Sequence, residues 1–187
     1  MSKEIRYELE VEGAKCYLAP LSFPVAEAAL GFIFSASPRY LTAGGIVINS
    51  LFIKGSAKLK ESGEHYDEAC LQAYATVNSL SYVYKEGQIT IPHQVKEKGK
   101  DGKEFYKPKD FKCKISEKVA RETLENCLGL IMPNIGNPKP LTAGRALLLE
   151  NWIEGDEEIK TNDELLIVAC LACFFILKHK QGSIKKV

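Results

Sequence analysis

Few residues in this chain have the types and spacing that chemistry needs. Cys170-Leu171-Ala172-Cys173 has the C-x-x-C spacing of redox and metal-binding pairs, whose work requires an exposed, electropositive helix start and a lowered thiol pKa. Here the pair lies inside the apolar run at residues 165–177, where two small core side chains are the simpler reading. Cys113 and Cys127 could be added in search of four zinc ligands, but no second close pair exists, so no structural zinc is expected. His65, His93 and His179 sit in three unrelated contexts, with no Ser, Cys or carboxylate motif around them. No catalytic residue, cofactor or metal is therefore expected. A substrate-sized, polar-lined cleft holding His93 or His65 would be the sign of an enzyme.

Two charged stretches invite binding roles. Residues 155–164, GDEEIKTNDE, lack the alternating carboxylates and central glycine of a calcium loop and read as a solvated link between helices. Residues 96–114 hold eight lysines against four acids, with Phe105, Tyr106 and Phe111 interleaved. Such a mixture can hold nucleic acid through phosphate contacts and stacking, and Lys98, Lys100 and Lys103 are the candidate phosphate contacts. The plainer reading is an exposed hairpin with its aromatics inward and its lysines guarding a sheet edge. The balance of 25 basic and 24 acidic side chains gives a net charge of +1, so no global field favours a polyanionic partner.

The elements that would carry these residues are written twice. Residues 41–77 slide onto residues 141–177 without a gap, superposing Leu41-Thr42-Ala43-Gly44 on Leu141-Thr142-Ala143-Gly144, Gly55 on Gly155, Lys60 on Lys160 and Ala69-Cys70-Leu71 on Ala169-Cys170-Leu171. Phe52 falls on Trp152, Leu59 on Ile159 and Tyr74 on Phe174, so apolar positions hold while polar ones drift, as a shared core demands. Upstream, Leu30-Gly31-Phe32-Ile33-Phe34 lies over Leu128-Gly129-Leu130-Ile131-Met132 at a shift of ninety-eight, and Lys15-Cys16 over Lys112-Cys113 extends the match to the start of each unit. Two residues are inserted between Pro133 and Pro138, in a loop, where insertion is tolerated. The reading is an α+β fold, mainly α, of two tandem similar units at residues 1–86 and 87–187, each a β-hairpin followed by three helices.

Alternation around Glu12-Gly13 predicts a hairpin over residues 5–18. Helices are expected over residues 22–34, from Thr42 as N-cap to Gly55, and over residues 64–84. The second unit repeats this. Strands are expected over residues 88–95 and 104–115, helices from Ser116 to Met132 and from Thr142 to Gly155, and a last helix opened by a Thr161/Glu164 capping box. The Thr-Ala-Gly helix starts present N–H groups that could meet an anion, though close helix packing explains the small residues equally well.

The last helix is apolar on nearly every side, whereas its first-unit counterpart carries Gln72, Thr76 and Asn78. A helix without a polar side must be covered all round. Leu166, Leu171 and Phe175, with Trp152, are thus the expected partner interface, against the other unit or another subunit. The apolar run is too short for a membrane span, and residues 1–12 lack the apolar core of a secretory signal, which places the chain in a reducing cytoplasm with its six cysteines as thiols.

The second copy, with its LTAGRALLLENWIEGDEEIKTNDELL sequence, resembles the tail assembly chaperone-like proteins encoded in the tail gene clusters of tailed bacteriophages, particularly those of gut Bacteroidales. The resemblance covers residues 104–177 and reaches the first copy only through the repeat. It implies a non-catalytic structural or assembly protein that binds the tape-measure protein or other tail or head-tail components, in an oligomer or larger assembly. It would act in the host cytoplasm during assembly, with retention in the virion as a further outcome. The alternative is a virion or packaged protein that meets nucleic acid through the Lys-rich hairpin.

Overall fold

The computed structural model describes residues 4–99, 104–133 and 136–180, with side chains to Leu177. Among them are seven helices, a 3-10 turn and seven strands in two antiparallel sheets, an α+β arrangement about half helical. Strands β1 (Tyr7–Val11), β2 (Ala14–Leu18) and β3 (Phe52–Gly55) form the first sheet; β4 (Val83–Lys85), β5 (Gln88–Lys98), β6 (Glu104–Ile115) and β7 (Trp152–Gly155) form the second.

The first hairpin follows from its alternation. Leu9, Val11, Cys16 and Leu18 point into the core, while Glu8, Glu10 and Lys15 point out and pair with one another. Glu12 and Gly13 both have positive φ, 48° and 78°, the two-residue turn whose twist suits paired strands.

Helices α1 (Phe23–Ile33) and α2 (Tyr40–Leu51) follow, then β3, the 3-10 turn Ala57–Leu59 and α3 (Glu64–Asn78). In the second half come α4 (Arg121–Ile131), α5 (Pro140–Glu150), β7, the short α6 (Glu158–Thr161) and α7 (Asp163–Lys180). Gly44 lets α2 approach α3 so closely that a Cβ there would collide with the Cys70 carbonyl, and Gly144 does the same for α5 against the Cys170 carbonyl. These two crossings, with the inner faces of both sheets, close one continuous hydrophobic core.

Several expectations need correction. The second helix of each half does not run to Gly55 or Gly155; it ends at Leu51 or Glu150, and Phe52–Gly55 and Trp152–Gly155 form β3 and β7. The reason is a partner distant in sequence: Cys16 pairs with Gly55 and Cys113 with Gly155, and neither glycine has room for a Cβ over its cysteine. The third helix stops at Asn78, not near residue 84, because Val83–Lys85 pairs with β5. Thr42 and Thr142 lie inside their helices, whose N-caps are Arg39 and Lys139. Ser116 caps nothing; its hydroxyl accepts from the Lys118 N–H at 3.2 Å, and α4 begins at Arg121. The Thr161/Glu164 capping box does not form either. The Asn162 side chain accepts the Leu165 N–H at 3.2 Å instead, and Glu164 is turned toward the first half of the chain.

Candidate functional site

The partner-interface residues expected from the sequence are mostly inside. Leu166 and Leu171 are each 6% exposed and belong to the core. Phe175 is half-buried against Phe34 and Phe174, with ring centres at 5.9 and 5.3 Å, and Trp152 is half-buried under the Lys160 ammonium at 3.9 Å. The prediction that α7 must be covered holds, but α5, α1 and β5 of the same chain supply the cover. Of the two expected covers, the other unit or another subunit, the described contacts of Leu166, Leu171 and Phe175 lie within the chain, and Trp152 packs under Lys160.

Helix α1 makes the joint between the halves. Its Glu27 carboxylate accepts the Leu141 N–H at 2.8 Å, the Thr142 N–H at 3.0 Å and the Thr142 hydroxyl at 2.6 Å, satisfying donors that the first turn of α5 cannot satisfy internally. One turn on, a Cβ at Gly31 would lie 2.8 Å from the Pro138 carbonyl, so glycine is what lets the loop before α5 lie against α1. At its end, Phe34 meets Phe174 at 4.9 Å. The Arg145 guanidinium sits 5.6 Å over the Phe23 ring, and the Phe23 N–H donates to Asp163 at 3.3 Å.

At the corresponding places in the first half, the apolar surface is open. Leu41 is 44% exposed where Leu141 is fully buried, and Leu71 is 51% exposed against 6% for Leu171. Tyr40, 46% exposed, packs its ring on Tyr74 at 5.1 Å, and Leu71 lies one turn before Tyr74 on the same side of α3. This face of α2 and α3 is the candidate interaction surface. Sequence reasoning passed over it, although sliding one copy on the other already paired Leu41 with Leu141 and Leu71 with Leu171. What it lacked was knowledge of which member of each pair the rest of the chain covers.

A second candidate lies where β1, β5 and the start of α7 meet. Arg6, His93, Tyr106, Lys109 and Glu164 line a cleft of about 670 Å3, and Tyr7 lines a smaller cavity that shares Arg6, His93 and Glu164 with it. Glu164 accepts from the Tyr7 hydroxyl at 3.3 Å, pairs with Arg6 at 3.3 Å and lies 3.6 Å from the His93 Nε2. Burial, and then the Glu164 charge, pushes the Tyr7 phenol up to about 12, so it stays a proton donor. Burial lowers the His93 pKa; Glu164 pulls it upward and Arg6 further down. The result is a neutral imidazole beside a carboxylate already held by two partners, which ties the two halves together.

His65, by contrast, is near the surface, 3.0 Å from Glu12, and the side chain of His179 lies outside the described residues. The six cysteines are buried thiols; burial raises all their pKa values, Cys113 to about 12 and Cys173 well beyond the usual range. Cys170 and Cys173 thus lack the exposure and electropositive setting that redox work requires. Of the phosphate-contact candidates, Lys98 lies exposed near the hairpin tip, paired in register with Glu104, while Lys100 and Lys103 fall outside the described residues. On the same arm Lys96 pairs with Glu104, Lys107 with Glu97 and Lys109 with Glu158, so carboxylates offset three of its described lysines. Phe111 is buried as expected, but Phe105 and Tyr106 are 46% and 49% exposed, a correction to the inward reading of all three. Compared with known proteins, the chain matches no family model, no curated protein and no solved structure.

Two outcomes follow from this geometry. Leu171→Asp, which buries a charge, costs about 4 kcal/mol in a urea titration, whereas Leu71→Asp at the matching open position stays within about 0.5 kcal/mol. For His93 the folded pKa lies below the unfolded one, so its contribution is intact above the ordinary histidine range and is lost as pH falls through that range. Between about pH 7.5 and about pH 5.5 the melting temperature should fall further in the native chain than in His93→Gln; equal falls would remove His93 from the explanation.

Proposed function

We propose that this chain is a non-catalytic assembly protein of the kind encoded in bacteriophage tail gene clusters, built of two similar units at residues 1–86 and 87–187 and acting through protein–protein interfaces. Backbone hydrogen bonds that recur at matching atoms support the two-unit reading. The Arg39 N–H donates to the Phe32 carbonyl at 3.2 Å and the Lys139 N–H to the Leu130 carbonyl at 2.9 Å; Ser56 donates to Lys15 at 2.8 Å and Asp156 to Lys112 at 2.9 Å. Ala19 donates to Leu51 and Ser116 to Asn151, both at 2.8 Å. Even the side-chain cover recurs, Lys60 lying over Phe52 and Lys160 over Trp152. Such correspondences fit one fold duplicated and then allowed to diverge on its surface.

The observation that carries the functional reading is the bare apolar face of α2 and α3, where Tyr40, Leu41 and Leu71 stand exposed while their counterparts Pro140, Leu141 and Leu171 are buried. Large apolar side chains grouped on one face mark a surface built for contact. The working partners are the tape-measure protein or other tail and head-tail components, met in the host cytoplasm during assembly. Among the described residues no helix is long and apolar enough to cross a membrane.

One observation favours a second reading, catalysis: the cleft at His93 places an imidazole and a carboxylate together. The bonds from Tyr7 and Arg6 to Glu164 weigh toward a structural tie instead.

Co-expression with a tape-measure protein, sought among the neighbouring genes, tests the proposal. The two should co-purify, and Leu71→Asp should lower recovery about tenfold. Absence of co-purification, or recovery indifferent to Leu71→Asp, would contradict the proposed function.

A further inference from the structure

The joint inside the chain is a template for a joint between chains. Helix α1 touches two helix pairs: α2 with α3 of its own half, and α5 with α7 of the other. Its counterpart α4 packs chiefly on α5, leaving its outer side to solvent. The first half therefore presents a receptive face with no α1-like helix on it, and the second half presents an α1-like helix with no receptive face beneath it.

The outer side of α4 keeps what α1 uses. At a shift of ninety-eight, Glu27, Gly31 and Phe34 become Glu125, Gly129 and Met132. Glu125 is exposed and, among the described residues, pairs with Arg121 of its own helix, a surface contact easily exchanged. Met132 is 66% exposed. Gly129 is the most telling of the three, because its counterpart Gly31 is needed for close approach of the Pro138 carbonyl, yet among the described residues nothing lies within 4 Å of a Cβ at Gly129. Glycine is a poor helix former, and among the described residues no packing accounts for one here.

The receptive face is equally prepared. Among the described residues no acceptor meets the N–H groups of Leu41 and Thr42, the counterparts of the two donors that Glu27 receives from α5. Arg39 stands beside them, exposed and opposite in charge to Glu125. From this we infer that copies of the chain join head to tail. The outer side of α4 in one copy seats on α2 and α3 of the next, Glu125 accepts from Leu41 and Thr42, Met132 packs on Tyr74, and the loop at Pro38 lies against Gly129. A contact between two different surfaces propagates, giving a ring where the rotation closes and a filament where it does not.

This inference rests on the two-unit reading above and commits it to a second copy as one occupant of the open face. The test uses the full chain in sedimentation velocity over a concentration series, with two variants at exposed positions, Leu71→Asp on the receptive face and Glu125→Lys on α4, both checked for native circular dichroism. The native chain should grow in size with concentration, and each variant alone should associate about tenfold more weakly. Mixed, the variants should form a 1:1 pair and stop, because only the intact α4 of Leu71→Asp and the intact receptive face of Glu125→Lys can meet. A native chain that stays monomeric, variants that associate as well as the native chain, or a mixture that forms no pair would overturn the inference. If the native chain is monomeric yet Leu71→Asp still loses the tape-measure protein, self-assembly alone has failed; if that binding is also indifferent to Leu71→Asp, the assembly reading fails with it.

Discussion

A helix with no polar side has to be covered, and the arrangement of this molecule follows from how α7 meets that constraint. Residues 165–174 are all buried, and no single neighbour can enclose them. Helix α5 takes one side through the close crossing at Gly144, β5 takes another, and α1 is brought across from the first half to supply Phe34. Bringing α1 across places Glu27 at the first turn of α5, where its carboxylate receives three hydrogen bonds. Burial drives the joint, and the carboxylate sets its register, because a charged acceptor on free helix N–H groups is directional in a way that apolar contact is not.

The same constraint explains why the two halves look different at the surface. Matched apolar positions are favourable only while each is covered, and a polar face is the ordinary way to end the series. The first half has followed that route on part of α3, where Gln72 hydrogen-bonds to the Glu10 backbone. It has not done so at Tyr40, Leu41 and Leu71. An apolar face thus stands beside a polar one, and the assembly reading is centred on α2 and α3 and not on the lysine-rich arm, where Lys96, Lys107 and Lys109 pair with carboxylates of the chain.

Much of this was legible in the residues. Alternation placed both hairpins, and gapless matching of residues 41–77 to 141–177 located the helices of each half and foretold that α7 needs cover. What local pattern could not supply was anything set by a partner far along the chain. Phe52–Gly55 and Trp152–Gly155 read as helix because their ladder partners, Cys16 and Cys113, lie about forty residues away. The Thr161/Glu164 pattern read as a capping box because nothing nearby reveals that Arg6 and Tyr7 will claim Glu164. The open face was missed for the same cause, since which of two matched leucines is bare depends on what the rest of the chain covers.

The central claim is that a carboxylate on an α1-type helix closes the start of the next helix pair, once within the chain and once between chains. Amide hydrogen exchange measured across a dilution series reads this directly at Leu141, Thr142, Leu41 and Thr42. The account predicts that Leu141 and Thr142 are protected at every concentration, while Leu41 and Thr42 exchange freely when dilute and gain protection as concentration rises. Free exchange at Leu141 and Thr142, or exchange at Leu41 and Thr42 that ignores concentration, would contradict it.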